Sequence, residues 1–305
     1  MHQFSEERMA PVGGGLELCY QEMGDPDGQA LLLVMGLATQ MIAWDEEFCR
    51  MLAERGFRVV RFDNRDIGRS SRVGSGGVPN VLDLVVGRGA PAYRLRDMAA
   101  DTVGLMDHLG IDSAHLVGAS MGGMIVQCAA IGHPARVRSL ASIMSTTGSR
   151  RVGHPSYRTF GLLLGKPPRE REAAIERAVR TFKTIGSPGY PFEEERVREI
   201  AGRSFERGHS QAGIARQLHA ITSSGDRTPH LRRLDVPTVV IHGKSDVLVN
   251  PSGGRATARA IPGARLKLIE GMGHDMPRAL WPTFAEEICS NAARAPEAEP
   301  AAQAA

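Results

Sequence analysis

The stretch His115-Leu-Val-Gly-Ala-Ser-Met-Gly-Gly-Met124 places an apolar run directly before a serine that glycines surround. The run predicts a buried strand, and the pattern after it predicts a helix over 121–131. Ser120 therefore falls in the turn between them. The pattern G-x-S-x-G has little weight alone, because this glycine content produces it in roughly one of four shuffled sequences. The rest of the chain must decide between a nucleophile and a serine that only caps a helix.

Strands and helices alternate on both sides of this turn. Unbroken apolar runs such as Ala30-Leu-Leu-Leu-Val-Met35 are typical of sheets that are covered on both faces. The patterns predict strands at 15–22, 30–35, 57–62, 115–118, 137–144, 236–242 and 265–269, and helices near 44–55, 94–109, 121–131 and 281–292. This order predicts the α/β class, with a mostly parallel central sheet and helices on both of its faces.

The alternation stops between about 148 and 233, where the pattern predicts helices alone. Those helices are expected near 169–185, 192–205 and 211–221. A chain of 305 residues fits one core with an insertion. The expected organisation is therefore a core at 1–147 and 234–294 with a helical cap insertion at 148–233.

Three shorter segments have separate interpretations. The tail 295–305 is low in bulky apolar residues and is expected to be disordered. Phe160-Gly-Leu-Leu-Leu-Gly165 fits an apolar pocket wall and an ordinary buried cap helix equally well. Asp63 to Ser70 is dense in turn-forming residues and is interpreted as structural.

Composition excludes several classes of function. The net charge is +3 and the basic residues are scattered among acidic ones, so the sequence predicts no nucleic-acid partner. There is no signal-like h-region and no apolar run of about eighteen residues, so neither export nor a membrane span is expected and the default compartment is the cytoplasm. The four cysteines lack metal-site spacing, and Gly118, Gly122 and Gly123 lack the dinucleotide-binding pattern. No metal and no cofactor are predicted.

A nucleophilic serine needs a base, and the base needs an orienting acid. Among ten histidines, His274 is the candidate base, because it lies in a glycine-flexed loop directly after the last predicted strand. Asp246 is the candidate acid, because it also follows a strand. The competing position for the acid is the loop after the strand at 137–144, but residues 139–150 contain no acidic residue. Asp275 is the weaker rival, since neighbours in sequence seldom have the required geometry.

An acyl-transfer site also needs N–H donors for the oxyanion. The first amide of the helix after Ser120, that of Met121, is one candidate. The second candidate is the backbone N–H of Leu37, in the loop after the strand at 30–35. Gly36 before it also fits a plain strand-ending glycine.

In this order the motifs resemble those of the α/β-hydrolase superfamily from Gly15 to about Ala292. They are Val-Met-Gly-Leu, Phe-Asp-Asn-Arg-Asp-Ile-Gly-Arg-Ser, Gly-Ala-Ser-Met-Gly-Gly, His-Gly-Lys-Ser-Asp and Gly-Met-Gly-His. Together they look most like the branch of aclacinomycin methylesterase and related bacterial esterases. The resemblance implies an α/β-hydrolase fold, a triad of Ser120, Asp246 and His274, and an oxyanion hole from the amides of Leu37 and Met121. Many members have His-Gly where Met35-Gly36 stands here.

The resulting hypothesis is a cofactor-free serine hydrolase that cleaves small to medium carboxylic esters. Its expected partner is a small-molecule ester, and the oligomeric state, monomer or homodimer, stays open. A thioesterase, an acyltransferase or a haloperoxidase-like perhydrolase would use the same triad. A hydrolase-fold protein that mainly binds a small ligand is the alternative outside enzymes.

Overall fold

A computed structural model describes residues 3–74, 89–159, 168 and 170–296, and the described strands form one sheet. The strands are β1 (Arg8–Gly13), β2 (Leu16–Met23), β3 (Gln29–Val34), β4 (Phe57–Phe62), β5 (Ala114–Ala119), β6 (Val137–Ile143), β7 (Thr238–Gly243) and β8 (Arg265–Ile269). The helices are α1 (Glu46–Ala53), α2 (Leu95–His108), α3 (Met121–Gly132), α4 (Arg171–Ile185), α5 (Glu194–Arg207), α6 (Gln211–Ser223), α7 (Thr228–Leu231), α8 (Ser252–Ala260) and α9 (Trp281–Ala292). Every strand and helix predicted above is present, within a few residues of its expected ends.

The sheet has the order β1-β2-β4-β3-β5-β6-β7-β8. Its first two pairings are antiparallel and the remaining five are parallel, which confirms the predicted α/β class. The sequence analysis missed β1, the edge strand. Pro11 interrupts its pattern, and proline is tolerated in a sheet at such an edge because the missing N–H faces away from the neighbour.

The two faces of the sheet are covered by different helices. Along β3, Leu32 and Val34 pack with apolar residues of α2 and α3, whereas Leu31 and Leu33 pack with those of α1 and α9. The alternation follows from the two-residue period of a strand. Because both faces of such a strand are buried, its sequence is an unbroken apolar run.

The strand order reverses at β3, which lies between β4 and β5. Val34 pairs with Gly118, so β3 and β5 end side by side. Ligand crevices of open α/β sheets form at such a reversal, outside the carboxyl ends of the strands. The loop after Val34 and the turn after β5 therefore face the same crevice.

Ser120 turns β5 into α3 with a left-handed backbone, φ 55° and ψ −117°. The flanking glycines make this turn possible. A Cβ at Gly118 would overlap the carbonyl oxygen of Gly122, and a Cβ at Gly122 would overlap that of Val34. Both positions thus require glycine for space.

Between β6 and β7 the described chain contains α4, α5, α6 and α7. Two of these helices, α5 and α6, bind the loop 63–70 of the sheet. Arg216 of α6 forms two hydrogen bonds to the buried carboxylate of Asp66, at 2.6 and 2.8 Å. Arg207 of α5 binds the buried Asp63. These contacts support the structural interpretation of Asp63 to Ser70.

Two predictions concern residues that lie outside the described ranges. These are the segment Phe160 to Gly165 and most of the tail, 297–305. Among the described residues, no helix combines the length and the apolar character that a membrane crossing requires.

We expect Gly122→Ala to lower the free energy of unfolding by at least about 2 kcal/mol, because the new methyl group meets rigid backbone. Gly132→Ala, at the other end of α3, is the matched control, since its Cβ would have nothing within 4 Å. It should be neutral or slightly stabilising. Guanidinium unfolding monitored by circular dichroism measures both, and equal midpoints would contradict the close approach.

Candidate active site

Ser120, Asp246 and His274 lie together at the carboxyl edge of the sheet. Nε2 of His274 is 3.0 Å from Oγ of Ser120, and its Nδ1 is 2.7 Å from Oδ2 of Asp246. The register of the sheet brings them there. Gly243 pairs with Ile269, so the loops that carry the acid and the imidazole leave adjacent strands at the same level.

The carboxylate of Asp246 is buried and held from several directions. Its Oδ1 accepts the N–H groups of Leu248 and Val249, at 2.9 and 2.8 Å. Burial alone would raise the pKa of Asp246, but His274 and His242 outweigh this effect and lower the pKa to about 2. An ionised carboxylate only accepts hydrogen bonds, so Nδ1 of His274 carries a proton. In the neutral imidazole, Nε2 is then free to accept the proton of Ser120.

His242, which the sequence analysis did not single out, is a second neighbour of Asp246. Its ring is fully buried, and Nε2 lies 2.8 Å from the carbonyl of Val249 and 3.3 Å from Oδ2 of Asp246. Its Nδ1 has no hydrogen-bond partner in the described part of the chain. The sequence feature that could have identified His242 is its position four residues before Asp246. Within the described ranges, no group of three or more His, Cys, Asp or Glu side chains could hold a metal ion.

Ser120 does not cap its helix through its side chain. Its hydroxyl makes no capping hydrogen bond to α3 and instead faces His274. The Ser120 backbone is fixed by N–H donation to Ile143, at 2.9 Å, and by the hydroxyl of Ser145, which donates to its carbonyl at 2.8 Å. The capping interpretation is therefore wrong, and the side chain is available for another purpose.

The rival acid, Asp275, has a different partner. Its Oδ1 accepts a short hydrogen bond from the hydroxyl of Ser187. Burial is the main influence on Asp275 and raises the pKa of its carboxyl group. In the described structure it is Asp246, and not Asp275, that bonds Nδ1 of His274.

The two amides predicted to bind an oxyanion flank Ser120. Met121 follows it as the first residue of α3, where helix geometry leaves the N–H without an internal acceptor. Gly36 lies against Ser120 from the other side, since a Cβ on Gly36 would be 3.6 Å from the serine Oγ. Leu37 is the next residue. Neither amide has a protein acceptor among the described residues.

Gln217 of α6 holds the loop that contains Leu37, and the sequence analysis missed it. Its Oε1 accepts the N–H of Ala38 at 3.1 Å, and its Nε2 donates to the carbonyl of Arg65 at 2.8 Å. Gln217 is fully buried. Ala38 has φ 59°, a left-handed conformation that is uncommon for alanine and marks a constrained loop.

Several known proteins resemble this chain over most of its length. The chain is 28% identical over 292 residues to rhodomycin D methylesterase DauP of Streptomyces sp. (strain C5), covering 88% of this chain and 92% of that protein. It is 26% identical to a non-heme haloperoxidase of Rhodococcus erythropolis, covering 86% and 90%. The crystal structure of a hydrolase from Pseudomonas aeruginosa PA01 superposes with a TM-score of 0.70 at 23% identity, covering 94% and 98%. A family model described as alpha/beta hydrolase fold matches residues 29–277. The chain belongs to the alpha/beta hydrolase fold family.

Proposed function

We propose that this protein is a serine hydrolase that cleaves carboxylic esters of small to medium size through an acyl-enzyme. The observation that carries the proposal is the continuous hydrogen-bond chain from Asp246 through His274 to Ser120. That chain contains the acid, the base and the nucleophile that acyl transfer requires. The methylesterase relative supports an ester as the substrate.

In the proposed reaction, Nε2 of His274 removes the proton of Ser120 while Oγ attacks the ester carbonyl. The N–H groups of Leu37 and Met121 stabilise the oxyanion. Asp246 holds the imidazole in its reactive tautomer and stabilises the imidazolium. His274 then protonates the leaving alcohol, activates a water molecule against the acyl-enzyme, and the acid is released with Ser120 restored. No cofactor takes part.

Residues 148–233 act as the cap in this proposal. The helices α4 to α7 lie in the chain between β6 and β7, and their contacts reach the loops of both Leu37 and His274. The cap would thus border the ester pocket. A cytoplasmic location stays a prediction from the sequence.

Perhydrolysis is a second candidate activity, which the haloperoxidase relative favours. The acyl-enzyme would form in the same way, and hydrogen peroxide in place of water would attack it and release a peracid. The triad serves both nucleophiles. Adding peroxide to an ester assay and measuring peracid separates the two activities.

We expect Ser120→Ala to lower the rate of p-nitrophenyl ester hydrolysis at least about a thousandfold, because the acyl-enzyme cannot form. Rates are measured at saturating concentrations of esters of increasing acyl length. The dependence of the rate on acyl length then indicates the size of the acyl pocket. Ser145→Ala is the matched control, since its hydroxyl binds the Ser120 carbonyl and not His274, and it should lose far less activity. Equal rates for wild type and Ser120→Ala would refute the proposed nucleophile.

Substituting the two candidate acids separately tests their assignment. Asp246→Asn should reduce kcat by about 10⁴-fold, because an amide favours the wrong imidazole tautomer. Asp275→Asn should reduce it by about tenfold at most, since Asp275 does not bond the His274 ring. Circular dichroism verifies that both variants fold. A larger loss in Asp275→Asn than in Asp246→Asn would reverse the assignment.

On the acid side, the dependence of kcat/KM on pH should show the uptake of one proton by the site. Because the pKa of Asp246 is lowered to about 2, its carboxylate stays ionised when the pH falls from 7 to about 4. We therefore expect the logarithm of kcat/KM to approach a limiting slope of one, and not two, within this range. A slope of two would show that a second group of the site also gains a proton there.

A further inference from the structure

The loop that carries His274 is bound by a short segment of the cap, residues 185–190, which we call the clamp. Three backbone amides of the two segments take part. The bonds are His274 N–H to the Ile185 carbonyl at 2.7 Å, Gly189 N–H to the Gly271 carbonyl at 2.9 Å, and Gly273 N–H to the Ser187 hydroxyl at 2.9 Å. The base is thus fixed from the cap as well as from the sheet.

Ser187 is the one side chain in this set, and it bridges both neighbours of His274. Its Oγ accepts the N–H of Gly273 and donates to Oδ1 of Asp275. The residue before the base and the residue after it therefore share one hydroxyl. Such a bridge restricts the backbone of His274 itself.

The clamp and the loop are in close backbone contact. A Cβ at Gly273 would overlap the carbonyl of Gly186, and a Cβ at Gly189 would lie 2.7 Å from the Cα of Gly271. Packing this close leaves little room for the loop to shift while the clamp stays in place.

We propose that Ser187 and Asp275 are positioning residues, which hold His274 at the distance from Ser120 that proton transfer requires. The inference rests on the proposed serine hydrolase function. The Nε2 to Oγ distance of 3.0 Å lies within the reach of a general base. Displacement of a reacting group by about 1 Å can cost a hundredfold in rate. Loss of the Ser187 bridge should therefore slow the chemical step and leave substrate binding nearly unchanged.

Asp275 also places a titratable carboxyl group beside the base. The charged or titratable groups that act on it are His274, Arg196 and Asp246. Burial, the main influence, raises the pKa of Asp275, and the hydroxyl of Ser187 with the charges of His274 and Arg196 opposes that rise. Ser187 thus favours the ionised form of Asp275.

Replacing the serine tests its positioning role. We expect Ser187→Ala to reduce kcat by about tenfold or more with KM within about twofold, and Ser187→Thr, which keeps a hydroxyl, to recover most of the loss. Ser223→Ala is the matched control, because this cap serine bonds the His219 carbonyl within its own helix, and it should behave as wild type. An unchanged kcat in Ser187→Ala would overturn the proposal.

A second readout distinguishes positioning from general stability. Asp275→Asn keeps an acceptor for Ser187 but removes the charge beside His274. The acid limb of the kcat/KM profile should then move toward lower pH, because a nearby anion favours the imidazolium. A profile that coincides with that of the wild type would remove Asp275 from the proposal.

Hydrogen–deuterium exchange tests the clamp without any ester. The amides of residues 271–275 should exchange faster in Ser187→Ala than in wild type or Ser223→Ala, since the bridge no longer restrains them. If wild type is inert toward esters but this exchange rises, the proposed function fails while the clamp stands. If wild type is active and the exchange is unchanged, the clamp alone is refuted.

Discussion

The left-handed turn at Ser120 is the constraint on which the site depends. At φ 55° a serine stores strain of about 1 to 3 kcal/mol, and buried packing on both sides of the turn must offset it. β5 is fully buried and α3 packs across the sheet. The flanking glycines let α3 approach the ends of β3 and β5. The result is a hydroxyl held above the carboxyl edge of the sheet, next to amides that have no acceptor among the described residues.

Parallel register then assembles the other groups around that hydroxyl. Ser120 and His274 are 154 residues apart in the chain, yet each follows a strand of the same sheet. Because neighbouring parallel strands end at one edge, the loops after them meet without further adjustment. Asp246 joins His274 in this way. Burial would raise the pKa of its carboxyl group, but His274 and His242 lower it and keep the carboxylate ionised. The sheet thus determines which residues meet, and local hydrogen bonds determine their protonation.

The sequence alone predicted the parts of the molecule that local patterns encode. Apolar runs predicted the parallel strands, and the glycines around Ser120 predicted the turn. Asp246 was favoured because it follows β7, and Asp275 was the weaker candidate because it is the sequence neighbour of His274. Local patterns could not predict contacts between distant segments. Ser187 meets Gly273 across 86 residues and Gln217 meets Ala38 across 179. Both are ordinary polar residues in helical or turn sequence, and nothing near them in the chain indicates a partner.

The proposed cap has two tasks in this arrangement, and they constrain its sequence differently. Gln217 holds the loop of Leu37 and Ser187 holds the loop of His274, and each accepts a backbone N–H of the core. Every core residue except proline has a backbone N–H, so these bonds persist when the core side chains change. The anchoring residues Gln217 and Ser187 themselves cannot change without loss of the bond. Under the proposed function, cap residues that border the ester pocket are under no such restriction. Such a pocket could be remodelled for another ester while the two anchors keep the loops of Leu37 and His274 in place.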